Sequence, residues 1–226
     1  MFDQISPNYD RTNRVLSLGL DLRWRKKVAC YLPARPHCHV LDLATGTADQ
    51  LIALFEAGAS IQSAIGVDLA GEMLAIGRQK VGKKPYRERV ELLEGNAERL
   101  SFLPNSFDAV TCSFGIRNVS NVPSALKEMH RVLRPLGRVL ILEFSLPKRP
   151  VLWGYLLYLR HVLPWVGGRL SKNPEAYRYL NQTIETFPSG RDFCLKMEQA
   201  GFKQVKAHPM ALGAVTLYVG EKDLLA

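Results

Sequence analysis

Metal-ligand spacing, a second glycine where one would matter, and a long apolar run are all missing from this sequence. Its four cysteines, Cys30, Cys38, Cys112 and Cys194, form no Cys-x-x-Cys pair and have no histidine at finger spacing. Reduced, incidental thiols are therefore expected, with no disulfide framework and no metal site. No apolar stretch reaches the ~20 residues that cross a bilayer, and the chain holds neither an internal repeat nor a low-complexity tract. The opening MFDQISPNYD is polar and carries acids, which fits neither a secretory signal nor a transit peptide and leads us to expect a cytoplasmic chain. The turn after the first apolar run has one glycine where a dinucleotide site needs G-x-G-x-x-G, which disfavours a bound pyrophosphate.

What is there is an α/β rhythm in a globular composition. The 226 residues are 47% hydrophobic and 23% charged, enough to bury one large core, so a single domain over 1–226 is expected. Apolar runs predict seven strands, at 40–44, 64–68, 90–94, 109–114, 139–144, 205–210 and 215–219. Helical periods fall at 49–56, 71–80, briefly at 97–100, and at 123–133, the last stopped by Arg134-Pro135-Leu136-Gly137. Strand and helix in alternation predict a doubly wound, seven-stranded, mostly parallel sheet of Rossmann-like type. The short link around Gly213 cannot make a parallel crossover, so the last strand should be antiparallel. Residues 1–37 and 145–190 stand outside the rhythm, and we expect them to form an N-terminal lid and a substrate-side lid over the strand ends.

The site is read from one βαβ unit. The run VLDLATGTAD ends its strand on Asp42, turns at Gly46-Thr47, and continues through a helix to AIGVD, which ends on Asp68. Backbone amides at the turn and a carboxylate beyond the neighbouring strand suit the ribose of a nucleoside cofactor. Asp42 and Asp49 put negative charge where a phosphate would sit, whereas a sulfonium with an ammonium group would be welcome there. The expected cofactor is S-adenosylmethionine, with Asn96-Ala97 in register behind Asp68.

Charge asks for a second partner. The net charge is +9 and the isoelectric point near 9.5, with basic residues clustered at 23–27, 83–89, 131–138 and 148–149. No RNA-binding signature accompanies them, so nucleic acid is not expected. The stretch VLWGYLLYLRHVLPW over 151–165 is too short to span a bilayer. It reads as a core helix or as a lid whose Trp and Tyr side chains meet lipid or a greasy substrate. A transient anionic membrane surface is the expected partner. A homo-oligomer stays open.

Several blocks carry a family resemblance across nearly the whole chain: FDQISPNYDRTNRVLSLGLDLRWR, VLDLATGTAD, GNAERLSF, SFGIRNV, RVLRPLGRVLILEFS and YRYL. Together the chain resembles the quinone-biosynthesis C-methyltransferases, which act on demethylmenaquinol and, in many members, on a ubiquinol precursor. The resemblance implies cofactor contacts at Thr47, Asp68, Asn96, Ala97 and Ser113, alongside Asp42 and Gly46. Asp68 could accept both ribose hydroxyls, and Ser113 would face the sulfonium. It also implies that Arg117 and Asn118 stabilise and orient a phenolate oxygen of a prenylated quinol, joined by Tyr9 from the lid. No dedicated strong base is expected; His161 and Glu143 read as local charges, and Tyr177-Arg178-Tyr179 as a wall of the ring site. The family's turn usually reads G-G-T-G or C-G-T-G, whereas Thr45 and Ala48 take the outer positions here. A Cβ at Ala48 costs little if that residue is already helical. Two rivals remain, an RNA methyltransferase suggested by net charge and a non-catalytic nucleoside-binding or membrane-adaptor protein suggested by the altered turn. Between the rings, the naphthoquinol is preferred and the benzoquinol is the alternative.

Overall fold

The structure is a computed structural model that describes residues 9–162 and 174–224. The N-terminal segment forms α1 (Tyr9–Leu16) and α2 (Leu20–Val28). Then follow β1 (Cys38–Leu43), α3 (Asp49–Glu56), β2 (Ile61–Asp68), α4 (Gly71–Gly82), β3 (Val90–Glu94), β4 (Phe107–Ser113), α5 (Val122–Val132) and β5 (Leu133–Phe144). Beyond the sheet centre lie α6 (Val151–Leu157), α7 (Pro174–Thr186), α8 (Arg191–Gln199), β6 (Lys203–Met210) and β7 (Val215–Glu221).

The seven strands order as β3-β2-β1-β4-β5-β7-β6. The first five are parallel and β7 runs antiparallel between β5 and β6. The chain winds outward from β1 to β3, then crosses back to β4, so the sheet changes direction between β1 and β4. Ligands bind outside the carboxyl ends of strands at such a switch point.

Alternation along the strands splits the core in two. Leu41, Leu43, Val110, Cys112, Val139 and Ile141 face α5 and α8 through Leu126, Met129, Phe193 and Met197. Val40, Ala64, Ala109, Leu140 and Leu142 face α2, α3 and α4 through Val28, Leu51, Leu54 and Leu74. Parallel strands buried on both faces read as near-continuous apolar runs, and truncating any of these leucines to alanine should cost about 2–5 kcal/mol.

Two expected elements differ. Residues 97–100 form no helix, because Asn96 Oδ1 accepts the Glu98 N–H at 2.8 Å and Asn96 bridges Arg99 in a turn. A side-chain acceptor placed there competes with helical bonding. The helix stop expected at Arg134-Pro135-Leu136-Gly137 holds, since α5 ends at Val132, but β5 starts well before the expected residue 139: Leu133 already pairs with Phe107 on β4. Leu136 is left-handed, at φ 60°, and pairing resumes at Arg138 with a register shift. The segment that stops α5 is thus also a kink inside β5.

Residues after β5 pack on the end of α1 and on Phe144 of β5. Leu159 and Ile184 are buried against Leu16, Phe144, Leu146, Tyr155, Tyr158 and Leu180, and the Tyr158 hydroxyl donates to the Leu16 carbonyl at 2.8 Å. No residue of α6 is fully buried, so the first part of the apolar run is a surface helix, whereas Leu159 beyond it is buried. Among the described residues no helix is long and apolar enough to cross a membrane. Trp165, Asn173 and the side chains of Tyr9, Tyr177 and Arg178 lie outside the described residues.

Candidate functional site

A cavity of about 250 Å³ opens at the switch point, bounded by the turn after β1, the end of β2, residues 95–98 after β3, and residues 113–120 after β4. Its floor is a strained turn. Ala44, Gly46 and Ala48 all have left-handed φ, at 51°, 55° and 63°. The condition under which a Cβ at Ala48 would cost little, that the residue be helical, is not met: it is the left-handed residue that precedes α3, a conformation that costs an L-residue about 1–2 kcal/mol. Its methyl group is fully buried, which offsets part of that cost.

Asp68 closes the floor on the β2 side. Its Oδ2 accepts the Gly46 N–H at 2.8 Å and its Oδ1 accepts the Ala70 N–H at 2.9 Å. Both oxygens are oriented by these bonds, and Asp68 lines the cavity. Asn96, Ala97 and Thr47 line the same cavity. The Asn96 side-chain oxygen accepts the Glu98 N–H, which fixes the amide at the cavity edge.

Asp42 lies beneath, 1% exposed, and supports the turn from below. It accepts Thr45 Oγ1 at 2.7 Å and Thr111 Oγ1 at 2.5 Å; Thr111 is its register partner on β4. Burial pushes its carboxyl up to about 6, against the two hydroxyl bonds and Arg25, which pull it down. Asp42 does not line the cavity, and its role is to hold the turn. Ser113, at the end of β4, donates to Gln50 Oε1 at 2.7 Å, and Gln50 Nε2 donates to the Arg25 carbonyl at 3.2 Å. This relay ties β4, α3 and α2 together around the cavity wall.

Asp49 is not the free anion that its position suggested. It is ion-paired to both Lys80 and Arg14, and Lys80 also reaches Asp10 at 2.7 Å. Thr47 joins them by donating to Asp10 Oδ1 at 2.7 Å and accepting from Lys80 Nζ at 3.0 Å. Burial would raise the Asp49 carboxyl, but Arg25, Lys80 and Arg14 together hold it below its ordinary range. The network latches α1 onto the turn.

Arg117 and Asn118 part company. Both sit in a 3-10 turn over 116–118 after β4. Asn118 lines the cavity, and its Oδ1 is buried with no hydrogen-bond partner. Arg117 does not line it. Its guanidinium donates to Glu143 Oε1 at 2.5 Å and to the Phe114 carbonyl at 2.9 Å, with Cζ 5.3 Å from the Phe144 ring centroid. Between the two lies Phe114, a cavity-lining residue at φ 60° whose ring is 4.6 Å from that of Phe144. A bulky residue held there stores about 1–3 kcal/mol of strain. Tyr155 adjoins this side, its phenol pushed up by burial. His161 is exposed and remote from the cavity, and of the Tyr177-Arg178-Tyr179 run only the partly exposed Tyr179 ring is described.

Sequence reasoning missed Arg25, Gln50, Thr111 and Glu143. Arg25 hid in a basic run, although its spacing from Asp21 and Val28 places it on the buried face of α2. Much of the other basic charge is used internally: Arg131 pairs with Glu128, Arg134 with Asp108 and Arg138 with Glu221.

Comparison with known proteins agrees with this architecture. Solved folds include an S-adenosylmethionine-dependent methyltransferase of Thermotoga maritima, with a TM-score of 0.67 at 22% identity over 98% of each chain. Another, from Aquifex aeolicus, scores 0.63 at 20% identity over 89% of this chain and 91% of that one. Among curated relatives, the ubiquinone/menaquinone biosynthesis C-methyltransferase UbiE of Geotalea daltonii is 44% identical over 98% of this chain and 94% of its own length. The demethylmenaquinone methyltransferase of Bacteroides fragilis is 40% identical over 98% and 91%. The model of the ubiE/COQ5 methyltransferase family matches residues 1–222, which takes in the turn, the Asp68 strand end and the 113–118 segment alike, and the chain belongs to that family.

Proposed function

We propose that this methyltransferase moves a methyl group from S-adenosylmethionine to a ring carbon of a prenylated quinol, with demethylmenaquinol the preferred acceptor and a ubiquinone precursor the alternative. The observation that carries the cofactor is the cavity floor: an acid-terminated β2 bonded to the backbone of a single-glycine turn, with the buried Asp42 beneath it. When bound, the cofactor supplies an electrophilic methyl group on a sulfonium.

The chain's own residues then have distinct tasks. Asp68 holds the ribose hydroxyls, and Asn96 with Ala97 offers the adenine edge an amide and a backbone N–H. Ser113, fixed by Gln50, shapes the wall where the sulfonium lies. Asn118 presents an unpaired buried oxygen, which suits a quinol hydroxyl as acceptor and orients the ring in line with the methyl. Arg117, locked to Glu143, is a positioning residue that fixes the Phe114 backbone, and Tyr9 joins from the lid. Electron density from the quinol hydroxyls activates the ring carbon, and the proton displaced from that carbon leaves to solvent as the ring becomes aromatic again, so no strong base need be supplied.

The substrate's tail accounts for the surface. Leu18, Trp153 and Leu157 are 86%, 64% and 63% exposed, and the Arg149 guanidinium lies 5.4 Å over the Trp153 ring. Apolar and basic side chains together on lids that flank the cavity suit brief contact with an anionic bilayer, which would leave the enzyme cytoplasmic and peripheral at the inner face of the cell membrane. Retention by vesicles bearing anionic head groups at low salt tests this, and failure to be retained removes the membrane from the proposal.

The deciding assay is transfer of labelled methyl to paired demethylnaphthoquinol and benzoquinol acceptors under reducing conditions, with Asn118→Ala alongside. Product from either ring, sharply reduced in the variant, names the substrate. Cofactor binding without product from either would sink the quinol assignment.

A further inference from the structure

Arg25 is a buried cation with an opening in front of it. It is 7% exposed, lines the cavity, and carries its Cζ 5.1 Å from the Phe114 ring centroid. Its Nε is buried with no hydrogen-bond partner. Burying a guanidinium without satisfying its N–H groups is costly, and the acids that feel its charge are engaged elsewhere. Asp49 is bonded to Lys80 and Arg14, and Asp42 to Thr45 and Thr111. Arg25 is also rigidly placed, because Gln50 grips its carbonyl and is itself gripped by Ser113. A fixed, underused guanidinium in a cavity wall is built for an anion, and a planar fork matches a carboxylate best.

We propose that Arg25 binds the carboxylate at the amino-acid end of the cofactor. This rests on the cofactor assignment made above and adds the residue that reads its one anionic group. The placement is consistent along the sheet: Asp68 ends β2, whereas Arg25 packs on Phe114 beyond β4, with β1 between them. A nucleoside held at the β2 end directs its amino-acid arm toward the Arg25 end. Arg25 helps to hold the Asp49 carboxyl down without pairing with it, and the direct ion pairs of Asp49 go to Lys80 and Arg14, so the Arg25 fork itself stays available to a ligand.

Titration calorimetry with two probes tests this. S-adenosylhomocysteine carries the carboxylate, and 5′-methylthioadenosine lacks the whole amino-acid arm. Arg25→Met keeps an apolar stem of similar length and should weaken S-adenosylhomocysteine by roughly 10- to 100-fold, the range for a lost charge-assisted bond. It should leave 5′-methylthioadenosine nearly unchanged. Arg25→Lys should recover part of the loss, since it keeps charge without the fork, and it reads the same ratio of probes if the methionine variant does not fold. Equal weakening of both probes would assign Arg25 a structural role and overturn the proposal. If the unaltered protein binds neither probe, the cofactor assignment itself falls and the role of Arg25 falls with it.

Discussion

The side chains of Arg117 and Glu143 form an ion pair at 2.5 Å with 6% and 0% of their surfaces exposed, behind rather than inside the cavity. Glu143 also accepts the Phe144 N–H at 2.8 Å, so the pair is woven into the end of β5. Breaking a buried pair by removing one partner strands the other charge, which costs about 3–5 kcal/mol, whereas replacing both by apolar groups is often neutral. Arg117→Ala should therefore lower unfolding stability by that amount, and Arg117→Met with Glu143→Leu should restore most of it. Urea denaturation of both reads this directly. If Arg117→Ala is as stable as the unaltered protein, the pair is not the structural element described here, and a loss of activity in that variant could be credited to chemistry.

How much of this was legible in the chain follows from the same physics. The five parallel strands announced themselves as apolar runs because both faces of the sheet are covered, and the acid ends at Asp42 and Asp68 stood out against those runs. Bounds were shorter than the real strands where polar residues continue the pairing, as at His39 and Glu221. Glu143 was hidden because a carboxylate closing an apolar run looks like an exposed strand end, and only the partner from another segment, Arg117, makes it a core residue. Gln50 and Thr111 carried no signal, since their roles lie in bonds to residues 25 to 69 positions away. Asp49 was visible as an acid at a helix start, but its two cations come from α1 and α4.

Asp42 should make the folded state sensitive to pH in an unusual direction. Its carboxyl is pushed by burial from an ordinary 3.8 up to about 6, so folding favours the protonated form. That contribution is full below about pH 4 and is lost as pH rises through about 6, a difference on the order of 3 kcal/mol. Asp49 and Asp108 are held below the ordinary range, so they act oppositely and only as pH falls below about 4. Asp42→Asn should therefore flatten the stability profile between pH 4 and 6 relative to the unaltered protein. Parallel profiles across that window would show that Asp42 does not titrate there.

Lys80 is the pivot of the N-terminal latch, bonded at once to Asp10, Thr47 and Asp49. Each partly exposed pair contributes at most about 1 kcal/mol, so Lys80→Met should leave the sheet intact and loosen α1. The expected readout is faster amide exchange over residues 9–16, with α3 unchanged because Arg14 still neutralises Asp49. Raising salt should mimic the variant in the unaltered protein, since exposed pairs are screened. Unaltered exchange in α1 would mean that its apolar contacts, not the latch, hold it down.

Gly115 sets the spacing between the two walls of the cavity. A Cβ added there would lie 2.3 Å from the Cβ of Ala44, and neither atom can rotate away because both are fixed to backbone. Overpacking of this kind costs typically about 1–3 kcal/mol, and it would push the turn after β1 away from the segment after β4, with both walls lining the cavity. Gly115→Ala should thus lose stability and cofactor affinity together. Ala44 has φ 51°, where glycine is favoured, so Ala44→Gly removes the opposing methyl and relieves strain at once. The double variant should recover most of what Gly115→Ala lost, giving a coupling energy of about 1–2 kcal/mol in a double-mutant cycle. Additive losses from the two changes would place the effect of Gly115 somewhere other than its contact with Ala44.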